Sequence, residues 1–260
     1  MQTAYKSIRL FKSSFLEKFS HIHPITPLVV WGPVAAYFFY RAISVFELPA
    51  LTIAGLSVAG LIVWTLAEYS LHRWLFHFKP EGEWQERLVF IMHGIHHSDP
   101  MDPTRLVMPP VVALLMAIPL YSLFKFVFLA MSPMSGNELV APFFGAFLVG
   151  YLIYDYTHFA VHHFKPRTRW GKAIKQSHMV HHYVNHDLRW GVSSPLWDHV
   201  FGTYQEPVRA PSAAKNVSKG AAVSGKSPRR PSGNGTAAAA SAVSQAAAGS
   251  SGTLKPGQVG

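Results

Sequence analysis

Ten histidines in four tight groups are the part of this chain best able to do chemistry. They are His72 with His77, His93 with His96 and His97, His158 with His162, and His178 with His181 and His182. Thirteen of the chain's 15 histidines lie between His72 and His199. All four groups touch or flank long apolar stretches, where an unpaired polar ring is costly. A lone histidine on an apolar face is an ordinary core residue; four groups on such faces are not explained that way. His93, His96 and His97 stand at i, i+3, i+4, and His178, His181 and His182 repeat the arrangement, so each trio shares one face of a helix. His158 and His162 are one turn apart. His72 and His77 are five apart, which does not share a helical face unless the helix ends or unwinds between them. These offsets let the imidazoles converge as metal ligands. Ten nitrogens exceed the needs of one ion and suit two five-coordinate ions, with zinc, iron and copper all compatible.

The remaining polar residues sort around this set. His163 lies about 100° off the His158–His162 face. His186 and His199 lack a partner at ligand spacing and stand as supporting or substrate-side groups, and His21 and His23 read as ordinary polar residues near the first span. Glu68, Asp155, Asp102, Asp187 and Asp198 are the carboxylates available to accept the far ring N–H of a ligand. Glu68 and Asp155 are in helical register with His72 and His158. The chain has no cysteine, so thiolate ligands and disulfides are excluded and any metal is held by nitrogen or oxygen. A structural zinc site needs far fewer ligands, and the aspartate-bridged pattern of dimetal hydrolases is missing. Redox activation of dioxygen against a lipid chain uses the metal pair, the apolar surroundings and access from a bilayer. A metal-binding membrane transporter and a structural metal protein remain as readings of another class.

The elements that must position these residues are membrane spans. Ile25 to Phe46 carries one charge, Arg41; Pro49 to Ala67 carries none; Leu106 to Met131 carries only Lys125; Leu139 to Tyr154 carries none. Each of the first three reaches about 30 Å as helix, and the fourth does so by continuing toward Val161. The predicted architecture is an all-α integral membrane protein with four transmembrane helices in two hairpins, 25–71 and 106–161. A polar insert at 72–105, with a short helix from Trp84 to His97, and a helical cap at 164–205 complete it. An amphipathic arm at 1–24 shows Ile8, Phe11, Phe15 and Phe19 in one stripe among Lys6, Arg9, Lys12 and Lys18. The membrane domain runs from 25 to 207. From 208 to 260 the sequence turns to Ala, Ser, Gly and Pro, the composition of a disordered tail.

The formal charge of +10 sits on the arm and beyond residue 164 and is not read as a nucleic-acid footprint. The turns at 41–49 and 131–139 are nearly free of Lys and Arg. The positive-inside bias then puts both termini and the 68–105 connection in the cytoplasm. Four spans bring every histidine group to that face, whereas an odd number would divide them.

The residues now assembled resemble the fatty acid hydroxylase superfamily of sterol desaturase-like membrane enzymes, and within it the fatty acid 2-hydroxylase, or sphingolipid alpha-hydroxylase, branch. The resemblance rests on Glu68-Tyr-Ser-Leu-His-Arg-Trp-Leu-Phe-His77, the run from His93 to Pro110, Tyr154-Asp-Tyr-Thr-His-Phe-Ala-Val-His-His163, His178-Met-Val-His-His182 and Trp197-Asp-His-Val-Phe-Gly-Thr203. The histidine elements set the superfamily; Pro100-Met-Asp102 and Arg105-Leu-Val-Met-Pro-Pro110 point to the branch. The likeness covers about residues 25–205. It implies that the ten histidines are the ligands of two iron ions, for which zinc can substitute in purified protein, and that His163 is a non-ligand. It implies oxygen-dependent hydroxylation at C2 of a fatty acyl chain, free or amide-linked in ceramide. Sterol or carotenoid hydroxylation and desaturation are the alternatives within the superfamily. About 24 residues precede the first span, too few for the haem domain that eukaryotic members of the branch often carry. The expected electron donor is therefore a separate cytochrome b5-like or ferredoxin/reductase protein, and the expected setting is a bacterial inner membrane or endoplasmic reticulum.

Overall fold

The computed structural model describes residues 7–205, so the expected tail at 208–260 and the first six residues of the arm lie outside the described residues. Every regular element among the described residues is helical. In chain order they are α1 (Ser14–Phe19), α2 (Thr26–Tyr40), α3 (Ala50–Ser70), α4 (Glu83–Val89), α5 (Ile95–Ser98), α6 (Pro110–Met131), α7 (Gly136–His163), α8 (Arg169–Tyr183) and α9 (Leu196–Val200). Three π-helical segments interrupt or extend them: Arg41–Val45, Leu71–Phe76 and Phe90–Gly94.

Four of these helices are long and apolar enough to cross a membrane: Thr26–Val45, Ala50–Phe76, Pro110–Met131 and Gly136–His163. The fourth span continues past Tyr154 as its length requires, ending at His163. Pairing by chain order is not the main packing. α2, α3 and α6 each pack on α7. In its most apolar window α7 is 78% buried, against 6% for α6, so α7 is the hub and the other three present their sides outward.

The sequence of α7 explains its place. Its buried run Ala141, Gly145, Ala146 and Gly150 lets neighbouring helices approach closely. A Cβ at Gly150 would stand 2.5 Å from Cγ of Trp64 on α3. Trp64 in turn packs edge-on to Phe147 and Tyr151 of α7. This aromatic core, with Trp31 and Phe144, fixes the rotation of α3 against α7, and hence of the histidines near the ends of both.

The arm departs from its periodicity. Its helix is confined to Ser14–Phe19 because Ser13 caps it, the Ser13 Oγ accepting from Leu16 N. The carboxylate of Glu17 folds back to accept the Leu10 and Phe11 N–H groups at 3.0 and 2.8 Å. The predicted helix from Trp84 to His97 is present, running without a gap from Glu83 to Ser98 as α4, a π-helical turn and α5.

Candidate metal centre

The ten histidines come together as two sets of five, each with ring nitrogens within 4.8 Å of one another. The first set is His72, His77, His93, His97 and His181; the second is His96, His158, His162, His178 and His182. Each trio predicted to share a helical face is divided between the sets. The i, i+4 members, His93 with His97 and His178 with His182, stay together, and the residue between them, His96 or His181, reaches the other set. The division interlocks the two sets: the ring of His97 stacks on that of His182 at 4.1 Å and 17°.

The π-helical turns solve the five-residue step. His72 lies in the segment Leu71–Phe76 and His77 caps its end. The i→i+5 hydrogen bonding of a π-helix widens the turn, so residues five apart come to one side. The second π-helical turn, Phe90–Gly94, carries His93. Sequence reasoning found the need for unwinding at His72–His77 but carried no signal for the π-bulge at His93.

The geometry fits an ion in each set. Imidazole nitrogens about 2.0–2.1 Å from a common ion and at right angles to each other would be about 2.9 Å apart. The Nε2 atoms of His72 and His93 are 3.1 Å apart. In the second set the His96–His158, His96–His182 and His162–His178 separations are 2.9, 3.0 and 2.9 Å. Nε2 of His77, His97 and His181 is buried with no hydrogen-bond partner among the described residues, a costly state that a metal would relieve.

Two rings of the first set are oriented by backbone carbonyls. His72 Nδ1 donates to Trp190 O at 2.6 Å and His181 Nδ1 to Leu188 O at 2.8 Å. A carbonyl only accepts, so both rings carry their proton on Nδ1 and turn the Nε2 lone pair inward. The loop supplying these carbonyls is braced by two of the predicted carboxylates. Asp198 accepts Trp190 N and Gly191 N, each at 2.8 Å. Glu68 accepts Val192 N and Ser193 N at 2.6 and 2.7 Å, and also the Ser193 hydroxyl. A Cβ on Gly191 would fall 2.1 Å from Ser194 O, so only glycine lets the loop lie this close.

Glu68 and Asp198 therefore reach the rings through the backbone, one bond further out than sequence register suggested. The other carboxylates serve elsewhere. Asp155 accepts Met108 N at 3.2 Å and the Tyr151 hydroxyl at 3.3 Å, fixing the start of the third span. Asp102 binds Thr104 and the Ser7 hydroxyl, and Asp187 is exposed. The exposed His186 has its ring 4.9 Å from that of His97. His163 packs on Phe159, and His199 on Tyr204. His21 meets Thr104, and His23 accepts from Ile25 N; none of the last four joins either set.

Burial, followed by the mutual repulsion of neighbouring imidazoles, keeps the rings outside the spans neutral. It holds His77 at about 4, His181 at about 3 and His182 at about 2. His93, His96, His97 and His178 are held well below the ordinary histidine range by the same causes. Neutral rings are the form that binds metal.

A cavity of about 550 Å³ runs against both sets, touching His93 of the first and His96 and His158 of the second. Its other walls are mainly apolar and include Phe76, Ile95, Leu106 and Val107. Arm residues Leu10, Phe11, Leu16 and Phe19 complete it.

The sequence model for fatty acid hydroxylase matches residues 57–203, a stretch that holds all ten histidines. The chain belongs to the fatty acid hydroxylase family. It is 36% identical over 198 residues to the Arabidopsis thaliana dihydroceramide fatty acyl 2-hydroxylase FAH2, covering 75% of this chain and 79% of that one. It is 42% identical over 184 residues to the Saccharomyces cerevisiae ceramide very long chain fatty acid hydroxylase SCS7, covering 69% of this chain and 45% of that protein. A solved structure of full-length scs7p, in which only the hydroxylase domain is visible, superposes with a TM-score of 0.68 at 38% identity, over 75% of this chain and 72% of that one. These likenesses put this member of the fatty acid hydroxylase family in its 2-hydroxylase branch.

Proposed function

We propose that this protein hydroxylates C2 of a fatty acyl chain, free or amide-linked as in ceramide, using a pair of iron ions and molecular oxygen. His72, His77, His93, His97 and His181 would hold one ion and His96, His158, His162, His178 and His182 the other. The observation that carries the reading is the shared wall: both five-histidine sets open onto one mainly apolar cavity of about 550 Å³. A transporter would be served by polar groups along its spans, whereas these histidines gather near helix ends.

Bound there, the iron pair supplies the activation of dioxygen, and an outside one-electron donor supplies the reducing equivalents. The protein's own residues do the rest. His93, His96 and His158 set the edge of the centre that faces the substrate. Phe76, Ile95, Leu106 and Val107 exclude water and take the acyl methylenes, a chain with no polar atom to satisfy. Asp155, by holding Met108 N, fixes the connection that forms the cavity floor before α6. In this reading the electron donor docks on the cytoplasmic side, the side to which the histidines are assigned.

Lipid mass spectrometry of membranes with and without the protein, under oxygen-18 gas, tests the proposal. The expected product carries one added oxygen at C2 of an acyl chain, and that oxygen is the heavy isotope. Product oxygenated on a ring, or newly unsaturated, would move the assignment to another reaction of the superfamily. An unchanged acyl profile with a competent donor present would sink the enzyme reading.

A further inference from the structure

The arm's polar ties to the protein gather at one place, with a single long contact elsewhere, Arg87 Nη2 to Leu10 O at 3.5 Å. Arg105 is buried at the turn before α6, and its Nη2 donates to Glu17 Oε1 at 2.5 Å and to His21 Nε2 at 3.0 Å. Its Nε donates to the Ser7 hydroxyl at 2.9 Å. Asp102 contacts the same hydroxyl and lies 3.5 Å from Arg105 Nε. Ile22 N donates to Thr104 O at 2.8 Å. Both ends and the middle of the segment 7–22 thus close on the four residues 102–105.

Its apolar fastening is thin by comparison. No residue of α1 is fully buried. Leu10, Phe11, Leu16 and Phe19 face the cavity, yet Phe19 is 61% and neighbouring Phe15 70% exposed, their rings edge-on at 5.0 Å. Lys12 and Lys18 are exposed beside them. An aromatic surface with a cationic rim is what a segment lying in a lipid headgroup layer presents. Segments with few buried contacts open at low free-energy cost, and the arm is the wall of the cavity with that property.

We propose that residues 7–22 form a displaceable, membrane-seated wall of the acyl cavity, latched by Arg105 to Glu17 and Ser7, and that the lipid chain slides in from the bilayer beneath it. The proposal rests on the acyl-hydroxylase reading of the cavity. Its consequence is that the latch, whose hydrogen bonds include no histidine of the two sets, sets how fast long chains reach the centre, and that Leu16 and Phe19 meet the chain first.

The absence of cysteine makes a direct test available. The side chains of Ser7 and Asp102 touch, so a double variant Ser7→Cys with Asp102→Cys can tie the arm down by a disulfide and free it by reduction. The probe is a long-chain N-acyl amide with a photoreactive group in the chain, offered in phosphatidylcholine nanodiscs to metal-free and metal-loaded protein. The readout is the rate at which Met92, Leu106 or Val107 is labelled. The oxidised form should label about tenfold or more slowly than the same protein reduced, with equal metal content. Equal rates in the two states would overturn the arm's role while leaving the cavity reading intact. No cavity labelling in either state would bring down the cavity reading and this proposal with it. Glu17→Gln, which needs no cross-link, should speed labelling by about tenfold through loss of a charge-assisted bond; labelling at the parent rate would count against the latch.

Discussion

The two five-histidine sets have the same composition and are held by different means. The first mixes buried rings with the half-buried His77 and His97, and hydrogen bonds from His72 and His181 to a loop aim two of its rings. The second is buried throughout, and Nδ1 of His158, His178 and His182 finds no partner among the described residues. Packing of α7 against α8 is what orients them. One set is aimed by a braced loop and the other by helix packing, so damage to the loop and damage to the helices should separate the two sites.

The largest effect is expected from His96→Ala. It removes the ring whose Nε2 lies near those of both His158 and His182, and elemental analysis should show the second set losing its ion while the first keeps most of its own. Hydroxylation should disappear. Equal loss from both sets would mean that they assemble as one unit.

Asp198→Ala comes next and should do the reverse. Two buried N–H groups of the loop lose their acceptor, at about 1–3 kcal/mol each. Metal affinity of the first set should fall by about 10–100-fold, with thermal unfolding lowered and the second set little changed. Metal titration followed by melting curves would read both.

Acid should weaken both sets more gently. An unfolded histidine takes a proton near 6.5, whereas folded His77 resists until about 4 and His182 until about 2. Between these limits the unfolded state binds more protons, so the metal-free protein is most stable above about 6.5 and loses stability as the pH falls. Chemical denaturation of the metal-free protein across this pH range should show stability falling steadily with acid; a flat profile would mean that the rings are not held neutral by the fold.

The smallest effect belongs to Glu68→Gln. The amide oxygen still accepts Val192 N and Ser193 N, and the main change is to the bond with the Ser193 hydroxyl, a loss of about 1 kcal/mol. Activity should fall severalfold at most. A collapse comparable to that of Asp198→Ala would show that the charge of Glu68, and not its acceptors alone, holds the loop.

Much of this was legible in the sequence because metal ligation leaves residue types at helical spacings. The ten residues, the four spans and the placement of Glu68 near the centre followed from those spacings and from runs without charge. The crossing of His96 and His181 into opposite sets was not legible, since a face of a helix does not say which neighbour it meets. Neither was the loop at 188–193: its backbone carbonyls carry no side-chain signature, and the brace joins Glu68 to residues 124 and 125 positions away. The arm misled for a related reason. Its stripe of aromatics was real, but Ser13 and the folded-back Glu17 end the helix where periodicity would continue it.

Helix length also works as a depth gauge. Ala50 to His72 and Gly136 to His158 are each a step of 22 residues, about 33 Å along the helix. A hydrocarbon layer is about 30 Å thick. The two spans that feed opposite sets therefore carry their first histidines equally far along the helix, a little more than the thickness of a hydrocarbon layer. In the acyl-hydroxylase reading, that shared length would set both ions where acyl tails meet their carbonyls, beside C2.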